Sequence, residues 1–217
     1  MIRFFDYSHS ISTSLNFFGF DFGLFIITLF VGYAFGCVNS SIILSKFFMK
    51  KDIRDFGSGN AGLTNATRIM GKKLGVFVAF GDVFKCIIPG IIGGIIGGYE
   101  GMAFACFGSV LGHVFPAIFD FKGGKGVLTG VTMVLMVDYR AAILALIVFA
   151  LMVYVSKMIS LSSITATFSA WIFYFAFNSS EIITIILLLL AATLIIFMHR
   201  SNISRIINGN ERKIGQK

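Results

Sequence analysis

Apolar runs of about twenty residues recur along this chain, separated by short clusters of basic, glycine and amide-bearing residues. Crossing about 30 Å of hydrocarbon as a helix, at about 1.5 Å per residue, takes about twenty residues, so each run is long enough to span a bilayer. On that measure Leu24–Phe48, Leu74–Gly98, Gly101–Phe119, Met158–Phe177 and Ile182–Met198 are spans. The stretch Val127–Val155 is interrupted by Asp138, Tyr139 and Arg140, and reads either as one long helix or as two shorter ones. The pattern predicts an all-α polytopic integral membrane protein.

Composition sharpens this in one direction only. Hydrophobic residues make up 57% of the 217 and charged residues 13%, against about 25% charged in an average soluble domain, which excludes a soluble globule. The 26 phenylalanines exclude a disordered chain. Cys37, Cys86 and Cys106 are odd in number and lie in apolar stretches without paired spacing, so they read as packing residues and neither a disulfide framework nor a metal site is expected. No removable leader is expected either: a polar stretch follows Arg3, and the first span itself directs insertion.

The net charge of +8 sits in the breaks between spans, with no arginine-rich tail or basic helix of the kind that meets nucleic acid. If the interrupted stretch crosses twice, there are about seven transmembrane helices. Then 15 of the 18 Lys and Arg residues fall on one side, only Arg3 and Arg140 on the other, and Lys85 lies inside a span. The positive-inside rule makes the first side cytoplasmic, with the N-terminus outside and the C-terminus in the cytoplasm. Val127–Val137 is too short to cross unaided, so its helix is expected to begin inside the preceding glycine-rich segment, shielded from lipid. The breaks are too short for a soluble domain, leaving residues 1–217 as one transmembrane domain. Gly90, Gly93, Gly94, Gly97 and Gly98 offer a small-residue face for close helix contact. Asp82 and Lys85, three apart within a span, are expected to pair or to face a polar interior.

Three polar constellations fall on the basic side. In Gly57-Ser58-Gly59-Asn60-Ala61-Gly62-Leu63-Thr64-Asn65-Ala66-Thr67-Arg68, closely spaced glycines let backbone N–H groups turn toward an anion, small polar side chains add donors, and Arg68 supplies a planar fork. The plainer reading is a polar loop in which Thr64 or Asn65 caps a helix. The second runs from Gly112-His113-Val114-Phe115-Pro116 to Phe121-Lys122-Gly123-Gly124-Lys125-Gly126. It is not a nucleotide P-loop, because Gly126 stands where a Ser or Thr should hold magnesium. Two lysines on a glycine hinge suit a phosphate ester or, equally, a charged interfacial turn, and His113 taken alone suits a structural histidine. In the third, His199-Arg200-Ser201-Asn202-Ile203-Ser204-Arg205 followed by Gly209-Asn210-Glu211, His199 and Asn202 share a helix face and can address one point. The same cations also complement a helix C-terminus. Glu211 is expected to tie a basic residue in place, and Ser160, Ser162 and Ser163 either cap a helix or reach into a shared site.

Together the segments GSGNAGLTNATR, GHVFPAIFDFKGGKG and HRSNISRIINGNE, in that order, resemble the bacterial acyl-phosphate:glycerol-3-phosphate acyltransferase family. The resemblance covers nearly the whole chain. It implies an inner-membrane enzyme that needs no cofactor. Its substrates would be acyl phosphate and glycerol 3-phosphate, and it would acylate the 1-hydroxyl to give lysophosphatidic acid and phosphate at a site facing the cytoplasm. Ser58, Arg68, His199 and Asn202 match its catalytic positions. Gly57, Gly59, Asn60, Thr64, Asn65, His113, Lys122, Gly123, Gly124, Lys125, Gly126, Ser160 and Ser163 are the expected substrate-binding set, and Glu211 is structural. The chain departs from the family pattern at Gly36-Cys37-Val38-Asn39-Ser40, where Gly-Ser-Ile-Pro-Ser is usual, and at Cys86, where a glycine is usual. Both departures bear on local helix shape.

The chemistry is consistent with these residues. An acyl phosphate is a mixed anhydride with a good leaving group, so the site must hold two anions close and orient an alcohol rather than make a strong nucleophile. No His stands four intervening residues before an Asp, the dyad of many acyl-CoA transferases, which weighs against CoA as donor. Either His199 or a substrate phosphate takes the alcohol proton. A transporter or channel for an organic phosphate is the alternative class, but that should place its polar residues near the bilayer midplane and often shows internal symmetry. Here they gather on one face.

Overall fold

The computed structural model describes residues 22–215 and, as backbone, the short antiparallel pair Asn16–Phe17 and Phe20–Asp21. The N-terminus, expected outside the membrane, lies outside the described residues. The chain forms two compact units, Met1–Val137 and Asp138–Lys217.

In the first unit, α1 (Phe22–Gly36) and α2 (Ser40–Met49) occupy the run expected as one span. They are separate because Asn39, in extended conformation, caps α2 by accepting the Ile42 N–H, which starts a new helix inside an apolar run. The helix α3 (Leu63–Val114) is bent at three glycines: Gly71 (φ 83°), Gly97 and Gly98 (φ 63°). At Gly97–Gly98 it folds back. Gly93 and Gly101 then approach so closely that a Cβ on either would meet the other's carbonyl oxygen, and Ser109 Oγ donates to the Lys85 carbonyl at 2.7 Å. The close approach expected of the glycine face therefore falls on Gly90 and Gly93, whereas Gly97 and Gly98 make the turn.

On leg 72–96 of this hairpin, Phe77, Phe80, Phe84, Ile88, Ile91 and Ile95 are exposed, while Val78, Asp82, Lys85, Cys86 and Pro89 are buried. The i, i+3/i+4 stripe is an inverted amphipathic helix, apolar toward lipid. Leg 99–114 packs along α1 through two small-residue ladders: a Cβ at Gly32 or Gly36 would strike the Ala105 or Ser109 carbonyl, and one at Gly108 or Gly112 the Leu29 or Tyr33 carbonyl. Backbone-to-backbone contact of this kind is what holds helices together where lipid supplies no hydrophobic drive. The helix stops at Val114 rather than running to Phe119; Pro116 follows, then a 3₁₀ turn at Ala117–Phe119. The last helix of this unit, α4 (Val127–Val137), begins after the glycine segment and not inside it, since Lys122–Gly126 is not helical and the Gly126 carbonyl accepts the Gly130 N–H at 2.7 Å.

The second unit contains α5 (Tyr139–Ser156), α6 (Ile159–Phe177), α7 (Ile182–Met198) and the short α8 (Arg200–Ile207). Small residues again make the contacts: Ala141, Ala142 and Ala145 of α5, Ala166 and Ala170 of α6, and Ala191 and Ala192 of α7 are buried. At one end Asp138 caps α5 and holds Arg140 at 2.6 Å and Asn178 at 2.7 Å. Burial would raise the Asp138 carboxyl, but the hydrogen bonds from Arg140 and Asn178 outweigh it and hold the group below its ordinary value. At the other end α7 turns into α8 through a 56° bend at His199.

Four helical stretches among the described residues are long and apolar enough to cross a membrane: Phe22–Met49, Leu63–Phe119, Tyr139–Ser156 and Ile159–Phe177. The bent pair Ile182–Met198 and Arg200–Ile207 makes a fifth if taken as one span. The folded-back Leu63–Phe119 stretch supplies two legs. Val127–Val137 is a short apolar helix, whose residues rise only about 16 Å.

Candidate active site

In the first unit two loops meet at one end of the helices. The loop after α2 rests on Ile42, Ile53 and Ala61, with Ile69, Met70 and Phe119 against them. Ser45 Oγ accepts the Ile53 N–H at 3.0 Å. Asn65, buried in the first turn of α3, folds back into this loop. Its Oδ1 accepts the Ser58 N–H at 3.0 Å, and its Nδ2 donates to the Phe56 and Ile53 carbonyls at 3.0 and 3.3 Å. Gly57 (φ 64°) and Gly59 (φ 69°) take left-handed backbone, and a Cβ at Gly57 would meet Asn65 Oδ1. Asn65, expected to bind substrate, thus spends its amide on holding the loop, and the residue capping α3 is Gly62. Ser58, Thr64 and Arg68 are exposed, Asn60 half-buried. Among the described residues the Arg68 guanidinium makes no ion pair or hydrogen bond.

The second loop is fastened to the end of leg 99–114. Gly123 N–H donates to the Val114 carbonyl and Gly124 N–H to that of His113, both at 3.1 Å, while Tyr33 Oη donates to the Phe115 carbonyl at 2.8 Å. A Cβ at Gly123 would strike the His113 carbonyl oxygen, and one at Gly124 the His113 ring and, at 2.9 Å, the Ala61 carbonyl oxygen. These two glycines were expected to admit a substrate phosphate. The structure gives them a different necessity: the loop must press against His113 and the first loop. Lys122 is exposed and Lys125 half-buried, while Gly126 (φ 82°) turns the chain into α4.

Arg54 joins the loops, and nothing in its sequence neighbourhood marks it. Its Nε and one terminal nitrogen donate to the Asp52 carboxylate at 3.0 and 2.9 Å, and the other terminal nitrogen donates to the Phe119 and Lys122 carbonyls at 2.8 and 3.1 Å. The hydrogen bonds from Arg54 lower the Asp52 carboxyl against the opposing effect of burial, with Lys46 a smaller contributor, and the same pair raises Arg54. Asn39, the cap of α2, fastens the first loop from the other side, donating to the Ala61 carbonyl at 3.3 Å.

Beneath the second loop lies the buried group Asp82, Lys85 and His113. Lys85 Nζ is 2.8 Å from Asp82 Oδ1 and 2.6 Å from His113 Nδ1, and it donates to the Val38 carbonyl at 3.4 Å. The expected pairing of Asp82 with Lys85 is present, with His113 as a third member. Cys37, Cys86 and Cys106 are buried free thiols.

In the second unit the polar end is organised around Glu211. Its carboxylate accepts from Ser160 Oγ (2.6 Å), Asn202 Nδ2 (2.7 Å) and Arg205 Nε (2.7 Å). Burial would raise this carboxyl, but the three hydrogen bonds and the Arg205 charge win and lower it. Glu211 does tie a basic residue in place, and it also takes up an amide donor of Asn202 and the Ser160 hydroxyl. Ser162 and Ser163 donate to the Met158 and Ile159 carbonyls one turn back. His199 Nδ1 lies 2.7 Å from the Ile195 carbonyl oxygen, to which it donates; in a neutral ring the lone pair would then fall on Nε2.

A family model described as glycerol-3-phosphate acyltransferase matches residues 26–209 of the chain. Among curated relatives, a glycerol-3-phosphate acyltransferase of Thermoanaerobacter pseudethanolicus is 40% identical, over 88% of this chain and 96% of its own. Glycerol-3-phosphate acyltransferase 2 of Bacillus anthracis is 39% identical over 87% and 98%. Among solved structures, PlsY (YgiH), an integral membrane glycerol 3-phosphate acyltransferase, matches in its glycerol 3-phosphate form with TM-score 0.82 and 36% identity over 88% of this chain and 96% of that one. Its lysophosphatidic acid form matches with TM-score 0.80 and 35% identity.

Proposed function

This chain belongs to the glycerol-3-phosphate acyltransferase family, and on that footing we propose that it transfers a fatty acyl group from acyl phosphate to the 1-hydroxyl of glycerol 3-phosphate. The observation that carries the reading is the pair of glycine loops in the first unit. Their backbone groups are held by Asn65, Arg54, His113 and Val114, while Ser58, Arg68 and Lys122 project exposed beside them. Cations and neutral donors on a fixed backbone suit a substrate whose reacting group and leaving group are both phosphate-bearing.

The alcohol oxygen attacks the acyl carbonyl carbon, a C–O bond forms, the bond from that carbon to the phosphate oxygen breaks, and inorganic phosphate departs with 1-acylglycerol 3-phosphate as the other product. Arg68 and Ser58 take the leaving phosphate, with Gly57, Gly59, Asn60 and Thr64 shaping its loop. Lys122 and Lys125 take the phosphate of glycerol 3-phosphate. The recipient of the alcohol proton is either His199 of the third motif or a substrate phosphate oxygen, and in the second unit Glu211 holds Asn202 and Ser160 in place. The charge asymmetry supports a cytoplasmic location for the motif-bearing ends, so cysteines introduced at Ser58, Lys122 and Asn210 should label only from that side.

The test is purified protein with acyl phosphate and radiolabelled glycerol 3-phosphate. Labelled 1-acylglycerol 3-phosphate should form without added metal, and acyl-CoA alone should give none. Robust transfer from acyl-CoA, or no product from acyl phosphate, would remove the proposal.

A further inference from the structure

We propose that Arg54 is a positioning residue: its guanidinium holds the strained turn Phe119–Lys122 closed, and the closed turn sets the direction in which Lys122 leaves the backbone toward the acceptor. Arg54 itself touches no substrate. The inference rests on the acyl-transfer reading above. Asp120 (φ 58°) and Phe121 (φ 57°), the two central residues of the turn, both lie in the left-handed region, and the Lys122 N–H closes the turn onto the Phe119 carbonyl at 3.2 Å. Positive φ at both central positions is the mark of a type I′ turn, which favours Asn or Asp followed by Gly. Asp120 suits the first position, whereas a Phe in the second is an outlier. Burial does not hold Phe121 there, because its side chain is 60% exposed. Strained backbone of this kind persists only where the surroundings over-determine it, and it gathers at ligand sites.

Arg54 supplies the restraint. Its Nη1 donates to the carbonyls of Phe119 and Lys122, the first and last residues of the turn, at 2.8 and 3.1 Å. Its Nε and Nη2 are spent on the Asp52 carboxylate at 3.0 and 2.9 Å, so the fork is fixed from behind, and Lys46 Nζ lies 3.4 Å from the same carboxylate. The Phe121 N–H also donates to the Pro116 carbonyl at 3.0 Å, but that bond secures the entering half of the turn, while Arg54 grips both ends. With every guanidinium nitrogen committed to a protein acceptor, Arg54 is placed to shape a loop rather than to bind an anion. The residue leaving the turn is Lys122, whose side chain is exposed.

The test is Arg54→Lys in the full chain, alone and combined with Asp120→Asn and Phe121→Gly, a pair that takes the turn conformation without strain and removes the need for a restraint. Affinity for glycerol 3-phosphate is read by calorimetry in detergent, and order in the loop by hydrogen exchange over residues 116–126, both without donor. If losing the fork leaves the turn closed about a tenth of the time, apparent affinity falls about tenfold. Arg54→Lys should therefore weaken acceptor binding by about that factor and speed exchange over 116–126, while leg 99–114 stays protected. In turnover the acceptor KM should rise with a smaller change in kcat and an unchanged KM for acyl phosphate. Adding Asp120→Asn and Phe121→Gly should restore both affinity and slow exchange. Unchanged affinity and exchange in Arg54→Lys overturns the proposal. So does a loss that the turn substitutions fail to repair, since a ligand contact or a general prop of the fold would not be rescued by relieving a turn. If Arg54→Lys alone does not fold, the combined variant must fold and bind; failure of both overturns the proposal as well. The exchange measurement needs neither substrate, so it stands even if acyl phosphate proves not to be the donor.

Discussion

The loops of the first unit and the tail of the second both place polar residues at helix ends, but they satisfy them differently. In the loops, backbone meets backbone or a buried amide: Gly123 and Gly124 N–H groups bond helix-end carbonyls, Asn65 holds three groups of the first loop, and Arg54 spans to Phe119 and Lys122. The cation Arg68 is left exposed. In the tail one carboxylate, Glu211, absorbs a hydroxyl, an amide and a guanidinium at once. A framework closed by backbone frees side chains for a ligand, whereas a framework closed by side chains is largely consumed in holding itself. Substrate anion chemistry should therefore be most sensitive in the first unit, and substitutions around Glu211 should register mainly as stability.

The largest expected effect is Arg68→Lys. It keeps the charge and removes the planar fork, and losing one preorganised donor to a transition-state oxyanion costs about 10²–10³ in kcat. Thermal unfolding should be unchanged, since among the described residues the Arg68 guanidinium makes no ion pair or hydrogen bond. Near-normal turnover at saturating acyl phosphate would make Arg68 an interfacial charge and dissolve the contrast.

His199 is the tail's exception, because it sits at the α7–α8 bend with Nδ1 bonded to the Ile195 carbonyl and not to Glu211. If the imidazole takes the alcohol proton, His199→Gln should lower kcat by about 10²-fold. A rise in acceptor KM with kcat nearly intact would instead give the proton to a substrate phosphate.

Gly124→Ala and Gly59→Ala separate two uses of glycine within the loops. At Gly124 the added methyl would collide with the His113 ring and crowd the Ala61 carbonyl, an overpacking of about 1–3 kcal/mol, so both the melting temperature and acceptor binding should fall. At Gly59 it would meet only the Arg54 carbonyl at 3.4 Å, and the cost is that of a left-handed backbone, about 1–2 kcal/mol. Equal acceptor KM values in the two variants would show that the Gly124–His113 contact does not shape the acceptor site.

How much of this could be read beforehand follows from which interactions are periodic or local. The lipid-facing stripe from Phe77 to Ile95, the helical membrane class and the Asp82–Lys85 pair lie within one helix, where spacing exposes them. Hydropathy passes smoothly over Cys37-Val38-Asn39, because a helix break made by a capping Asn inside an apolar run does not change the run. The stop at Val114 and the non-helical Lys122–Gly126 segment go with Gly123 and Gly124 bonding back to that helix end, a choice the local pattern does not carry. Nothing local distinguishes Arg54 from the other cations between spans, and Asn65 reads as a ligand donor or a helix cap. Their partners lie up to 68 residues away for Arg54, or along a loop whose path was not known. The three polar constellations were legible because motif residues cluster in sequence, but which members face outward and which brace the loops was not.

The smallest expected effect tests the tail. Glu211→Gln keeps an acceptor for Ser160 and Asn202 but gives up the charge that holds Arg205, so it should cost about 1 kcal/mol of stability at neutral pH with little change in kcat. The pH dependence has a definite sign. The native carboxyl lies below its unfolded value of about 4.5, so its contribution is complete above that value and is lost as pH falls through the lower, native one. The stability gap between the unaltered chain and Glu211→Gln should then be widest near neutrality and close in acid, while the contributions of Asp52 and Asp138, common to both proteins, cancel in the difference. Unfolding followed in detergent on either side of that range reads the gap directly. A gap that widened in acid, or a Glu211→Gln protein of normal stability but with kcat reduced as far as in Arg68→Lys, would put the tail's carboxylate into the chemistry and leave the two regions alike.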